Sequence, residues 1–177
     1  MVVTSSTAAV YVDYGSRPAE HVYTEADWSD EVQMRDRKSW YALSKQLAEK
    51  AAIEFVSKLS TAEKFDLCTI QPTLILGDMI QPSLNESNAI ILNFLNGTKA
   101  LTNECKALVD VEDVSLSHIL AYESNETGRF LCIGDCPHWS VVCQSLSKLC
   151  PEESRIPLEI GSTPMAVMGP PPPAPVR

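Results

Sequence analysis

Short apolar runs alternate with helix-periodic segments along this chain, and that alternation is what most restricts its fold. The runs are Met1–Ser6, Asp66–Gln71, Leu108–Val111 and Gly128–Ile133. Between and after them, helical spacing predicts helices over Ser39–Lys58 and Glu86–Leu95, one from an Asp113 cap to about Glu123, and one over His138–Leu149. Strand, loop, helix, strand in that order reads as βαβ units, whose strand ends and following loops line one crevice. Val10–Lys38 reads as a loop, with Gly15, Pro18 and many acids, placed to lie over a substrate. Residues 1–162 are expected to form one partial domain. Residues 163–177, with consecutive prolines between Gly169 and Pro175, read as an extended disordered tail.

The helix over Ser39–Lys58 carries the chemistry. Leu43, Leu47, Ala51, Ala52, Phe55 and Leu59 recur at helical spacing and are expected to form its buried face. Tyr41 and Lys45 are four residues apart, and at about 3.6 residues per turn they share a side. A free phenol has a pKa of about 10. A neighbouring ammonium stabilises the phenolate, so the phenol can serve as a general acid near neutral pH. The run ending in Ser5-Ser6 adds a hydroxyl that can hold a carbonyl oxygen as negative charge develops on it. Phenol, amine and hydroxyl together are parts of a nicotinamide-dependent carbonyl reductase. The plain alternative is a solvated Tyr–Lys pair on a surface helix. No Gly-x-Gly-x-x-Gly or Gly-x-x-Gly-x-x-Gly loop for cofactor phosphates occurs in the sequence.

Charge and composition exclude other classes. A net charge of −9 without a basic patch opposes binding to nucleic acid or to an anionic membrane surface. There is no apolar run of about 18 residues to span a bilayer, and no basic-then-apolar signal peptide, so the expected location is the cytoplasm. The cysteines at 68, 105, 132, 136, 143 and 150 lack the paired spacing of a metal site and read as free thiols, with no metal expected. His118 reads as packed, His21 as solvated, and His138 with Trp139 as candidates for a substrate pocket.

Several blocks together resemble the extended short-chain dehydrogenase/reductases, in the plant-type cinnamoyl-CoA reductase, dihydroflavonol 4-reductase and tetraketide pyrone reductase group. They are Val2-Val3-Thr4-Ser5-Ser6-Thr7, Glu25-Ala26-Asp27-Trp28-Ser29-Asp30, Trp40-Tyr41-Ala42-Leu43-Ser44-Lys45, Gln71-Pro72-Thr73-Leu74-Ile75-Leu76-Gly77, Gln81-Pro82-Ser83-Leu84-Asn85, Val109-Asp110-Val111-Glu112-Asp113-Val114 and Thr127-Gly128-Arg129-Phe130. Around the tyrosine this chain has Ser39-Trp40-Tyr41-Ala42 where cinnamoyl-CoA reductases have Asn-Trp-Tyr-Cys. The resemblance implies an α/β fold: the C-terminal part of a Rossmann-like doubly wound parallel sheet with a small substrate-side α/β region, lacking the first βαβ units. It implies Ser6, Tyr41 and Lys45 as catalytic triad, with Ser6 the second of its serine pair. Tyr41, Lys45, Pro72, Thr73, Leu74 and Ser83 would border the cofactor, NADPH. The activity implied is reduction of an aromatic or polyketide-like ketone or aldehyde. An epimerase or 3β-hydroxysteroid dehydrogenase-like enzyme shares that triad, and a non-catalytic remnant or interaction protein is the reading from another class. Without the phosphate loop, weak NADPH binding is expected. Without neighbouring strands, self-association through an exposed sheet edge is expected.

Overall fold

The computed structural model describes residues 1–18, 20–97 and 101–160. The proline-rich segment 163–177 lies outside the described residues. The chain divides into two compact units, one of residues 1–88 and 107–135, the other of 89–106 and 136–177.

The first unit is built on a parallel sheet in the order β1 (Val2–Thr4), β2 (Cys68–Pro72), β5 (Gly128–Cys132). Thr69 of β2 lies between Val3 and Arg129 in the register, and Ile70 between Thr4 and Phe130. A second parallel pair joins β3 (Leu74–Leu76) to β4 (Leu108–Asp110). Between β1 and β2 the chain forms a 3-10 turn, Thr7–Ala9, and then helices α1 (Glu31–Asp36) and α2 (Trp40–Ser57). Helix α4 (Val111–Glu123) covers the other face.

β2 is buried along its whole length, as a central parallel strand should be. Successive side chains point to opposite faces, and the two faces of this sheet differ in chemistry. Ile70, Phe130, Cys132 and Val2 pack with Val109, Val114 and Ala121 on the α4 side, an apolar core. Ser5, Thr69, Gln71 and Arg129 point to the α2 side and meet a polar helix face. A second core joins Met34, Ala42 and Leu43 to Ala8, Val12 and Tyr14, so α1, the first turns of α2 and the 3-10 turn pack together.

Several sequence expectations are corrected. Val10–Lys38 contains helix α1, capped by Asp30, whose side chain accepts from Gln33 N. The cap of α4 is Asp110, accepting from Glu112 N, three residues before the expected Asp113. The buried side of α2 consists of Ala42, Leu43, Gln46, Glu49 and Val56. Leu47 and Phe55, assigned to that side by hydrophobicity, are exposed. Glu49 turns inward because that face of the sheet offers its carboxylate hydrogen-bond donors, and Gln46 donates through Nε2 to the Ser29 carbonyl at 2.7 Å.

Gly77 closes β3 at φ +131, a conformation that side chains rarely adopt, and a Cβ there would meet Val111 Cγ1 at 2.8 Å. Gly77→Ala is therefore expected to lower stability by about 1–3 kcal/mol, read as a reduced urea midpoint with unchanged slope.

The second unit holds α5 (Trp139–Leu149), in which Cys143 is fully buried. Phe94 meets Trp139 edge to face at 5.1 Å between ring centroids. His138 is the cap of α5, its ring held by Ser140 and by Asn103 Oδ1 at 3.2 Å. No helix among the described residues is long and apolar enough to cross a membrane.

Candidate active site

In a βαβ unit the helix runs back against the strands, so its first turns lie by the strands' carboxyl ends. That sets the turn after β1 beside the first turns of α2. β1 ends at Thr4, and Ser5 and Ser6 follow as the chain enters the 3-10 turn. The turn packs on this region, with Ala8 against the cluster of Met34, Ala42 and Leu43, the last two following Tyr41. Thr7 Oγ1 donates to the carbonyl of Pro72 at 3.3 Å, tying the turn to the end of β2.

Ser5 and Ser6 are both buried, and they have different partners. Ser5 Oγ donates to Glu49 Oε2 at 2.5 Å. Ser6 Oγ accepts from Ala8 N at 3.2 Å as the cap of the turn. Tyr41 and Lys45 lie on the same side of α2, with Lys45 Nζ 6.0 Å from the centroid of the Tyr41 ring. Tyr41 is 63% exposed. Its position at the first turn of α2 puts it at the rim, beyond the cover of the strands. Thr73 Oγ1 is buried and has no hydrogen-bond partner among the described residues. Leu74 N donates to Ala107 O at 3.2 Å. Ser83 is exposed in the loop before α3 (Glu86–Leu95), its carbonyl accepting from Gln81 Nε2 at 2.9 Å.

Behind this rim lies a cluster that sequence reasoning missed. Glu49 is 1% exposed. Its Oε1 accepts from Thr69 Oγ1 at 2.9 Å, Gln71 Nε2 at 2.7 Å and Arg129 Nε at 2.6 Å. Arg129 Nη1 in turn donates to the carbonyls of Glu25 at 2.5 Å and Asp27 at 2.6 Å, and its guanidinium lies 3.6 Å from the centroid of the Trp28 ring. Ala42, Gln46, Glu49 and Val56 follow one another at helical spacing, and that spacing was the available signal. A search for apolar periodicity passes over it because two of those residues are polar.

The segment held by Arg129 has its own electrostatics. Thr24 N donates to Asp27 Oδ2 at 2.8 Å, while Arg17 and His21 meet Oδ1. These partners hold the Asp27 carboxyl down at about 2, against partial burial acting the other way; its ordinary value is 3.8. His21, expected to be solvated, is half-buried in this cluster. A depressed carboxyl stabilises the fold above its unfolded pKa, and that contribution disappears as pH falls through the folded one. Asp27→Asn is thus expected to flatten the loss of stability between about pH 4 and pH 2, measured as urea midpoints across that range.

A cleft of about 330 Å³ lies at the amino ends of β2 and β5, lined in part by Ile53, Val56, Lys64, Phe65 and Leu67. None of Ser6, Tyr41, Lys45, Pro72 or Thr73 lines it; they lie toward the opposite ends of the strands.

No family model matches the chain. Over 154 residues it is 41% identical to cinnamoyl-CoA reductase 1 of Petunia hybrida, a match covering 86% of this chain and 45% of that protein. Among solved structures it is similar to Gre2 from Candida albicans in complex with NADPH, at 29% identity and a TM-score of 0.77, covering 91% of this chain and 51% of the other. It is also similar to vestitone reductase from alfalfa, at 30% identity and a TM-score of 0.74, covering 89% and 50%. The chain thus spans about half the length of the proteins it matches.

Proposed function

We propose that this chain, which belongs to the extended short-chain dehydrogenase/reductases of the cinnamoyl-CoA and dihydroflavonol reductase group, carries the acid half of a carbonyl-reducing site, with Ser6, Tyr41 and Lys45 as its working groups. The observation that carries this reading is the Tyr41–Lys45 pair on the first turns of α2, packed beside the Ser6 turn at the carboxyl ends of the parallel strands. NADPH is the cofactor the reading requires, by similarity to reductases that bind it.

The residues fit one end of that cofactor. Pro72 ends β2 and Thr73 follows it beside the Ser6 turn, and among the described residues the buried Thr73 hydroxyl has no hydrogen-bond partner. Tyr41 and Lys45 would hold the nicotinamide ribose. The phosphate end has no glycine-rich loop in this sequence to receive it. When bound, reduced nicotinamide supplies a hydride to a carbonyl carbon.

The chain's own groups handle the oxygen. The Ser6 hydroxyl is already an acceptor for Ala8 N, which leaves its proton to donate to the substrate carbonyl. The Tyr41 phenol then gives its proton to the oxygen as charge builds. Lys45 places positive charge beside the ring through that step. Because Tyr41 is exposed in the free chain, bound substrate and cofactor must cover it for these groups to act out of water.

Self-association belongs to the same reading. Glu25 Oε1 accepts from Leu131 N at 3.3 Å and so covers the outer edge of β5. Among the described residues no strand pairs with the outer edge of β1, and open edges invite pairing.

The test follows NADPH oxidation by the purified chain against aromatic and aliphatic aldehydes, ketones and thioesters, at cofactor concentrations extending into the millimolar range. Carbonyl-dependent oxidation, with weak NADPH affinity, is the expected result. No carbonyl-dependent oxidation at saturating NADPH would instead favour the non-catalytic remnant.

A further inference from the structure

We infer that Glu49 is a positioning residue for Ser6 and acts through Ser5. This rests on the proposal that Ser6 is the hydroxyl that holds the carbonyl.

The two oxygens of the Glu49 carboxylate divide their work. Oε1 takes three donors, Thr69 Oγ1, Gln71 Nε2 and Arg129 Nε, which come from β2 and β5. Three donors on a single oxygen, one of them charged, fix the carboxylate to the sheet. Oε2 takes only the Ser5 hydroxyl among these side chains, at 2.5 Å. Ser5 is also held by its own backbone, Ser5 N donating to Ile70 O at 2.7 Å. Ser5 is therefore clamped on both sides immediately before the chain leaves the sheet.

Ser6 follows at φ −164, ψ 149 and starts the 3-10 turn. Among the described residues its Oγ has one hydrogen bond, accepted from Ala8 N at 3.2 Å. A hydroxyl with one weak partner takes its direction from the backbone that carries it. The Ser5–Glu49 bond is a directional tie between that backbone and the helix bearing Tyr41 and Lys45, beside the apolar packing of the turn on α2. Glu49 lies four residues beyond Lys45, so one helix carries the proton donor, the cation and the brace for the third group.

Ser5→Ala removes the brace and leaves the other three bonds of Glu49 intact, while Ser5→Thr keeps a hydroxyl at the same atom. The direct readout is amide hydrogen exchange at Ala8, whose N–H reports where the Ser6 oxygen points. Ser5→Ala is expected to speed exchange at Ala8 about five-fold, the ratio set by one hydrogen bond of about 1 kcal/mol, with β2 amides unchanged and recovery in Ser5→Thr. Where the parent chain turns over, kcat falls with KM held, and Ser5→Thr restores it. Unchanged exchange at Ala8 overturns the inference whether or not the chain is active. Equal acceleration at Ala8 and throughout β2 also overturns it, since that is general loosening. Selective acceleration at Ala8 in a chain that shows no turnover supports the positioning role and rejects the reductase reading.

Discussion

Glu49→Ala is expected to cost the first unit about 3–5 kcal/mol, a large share of the roughly 5–15 kcal/mol that holds an ordinary domain folded. The reason is what the alanine would leave behind. Arg129 is 10% exposed in its side chain and would keep its charge in the interior with its carboxylate partner gone. Thr69 would also lose its acceptor, and Gln71 Nε2 would keep only Thr69 Oγ1. Unfolding by urea, followed by circular dichroism, would show the midpoint collapse. The sharper measurement pairs Glu49→Leu with Arg129→Met. Removing both charges together should cost much less than Glu49→Ala alone, because burying neither ion is cheaper than burying one. A loss below about 1 kcal/mol for Glu49→Ala would mean that water reaches and solvates Arg129 in the variant, and the cluster would then not be what joins α2 to the sheet.

Tyr41→Phe is expected to leave the fold intact and abolish turnover. The side chain is 63% exposed and has Lys45 beside its ring, so loss of one oxygen removes little packing. Removing a positioned general acid lowers rate by about 10²–10⁴. The effect should fall on kcat with KM nearly constant, since the hydroxyl acts on charge that appears only in the transition state. Thermal unfolding of the variant should overlay that of the parent. Undiminished NADPH oxidation by Tyr41→Phe would remove Tyr41 from the mechanism, and the lysine beside it would then be an ordinary surface neighbour.

The alternation of apolar runs and helical segments made the α/β class legible, and helices α2, α3 and α5 fall within a residue or so of their expected limits. The spacing of Tyr41 and Lys45 was enough to place them on one side of α2, because local helical geometry alone decides it. Helix α1 was not legible. It is six residues long, and its one fully buried residue, Met34, shows no period. The exposure of Tyr41 was not legible either, since it depends on how far the sheet and the loops extend past the first turn of α2.

What the chain's order of residue types settled by itself is therefore the parallel βαβ arrangement, the helix that pairs a phenol with an amine, and the hydroxyls at the end of the first strand. Each follows from periods and offsets within a short stretch of backbone. Only the tertiary structure decided that α2 turns Glu49 toward the sheet and Gln46 toward the Ser29 carbonyl, and that Ser5, Thr69, Gln71 and Arg129 converge on a single carboxylate. Those partners come from separate strands up to 80 residues distant from Glu49. A buried polar group is tolerated only where such donors meet it, and where they meet is fixed by strand register.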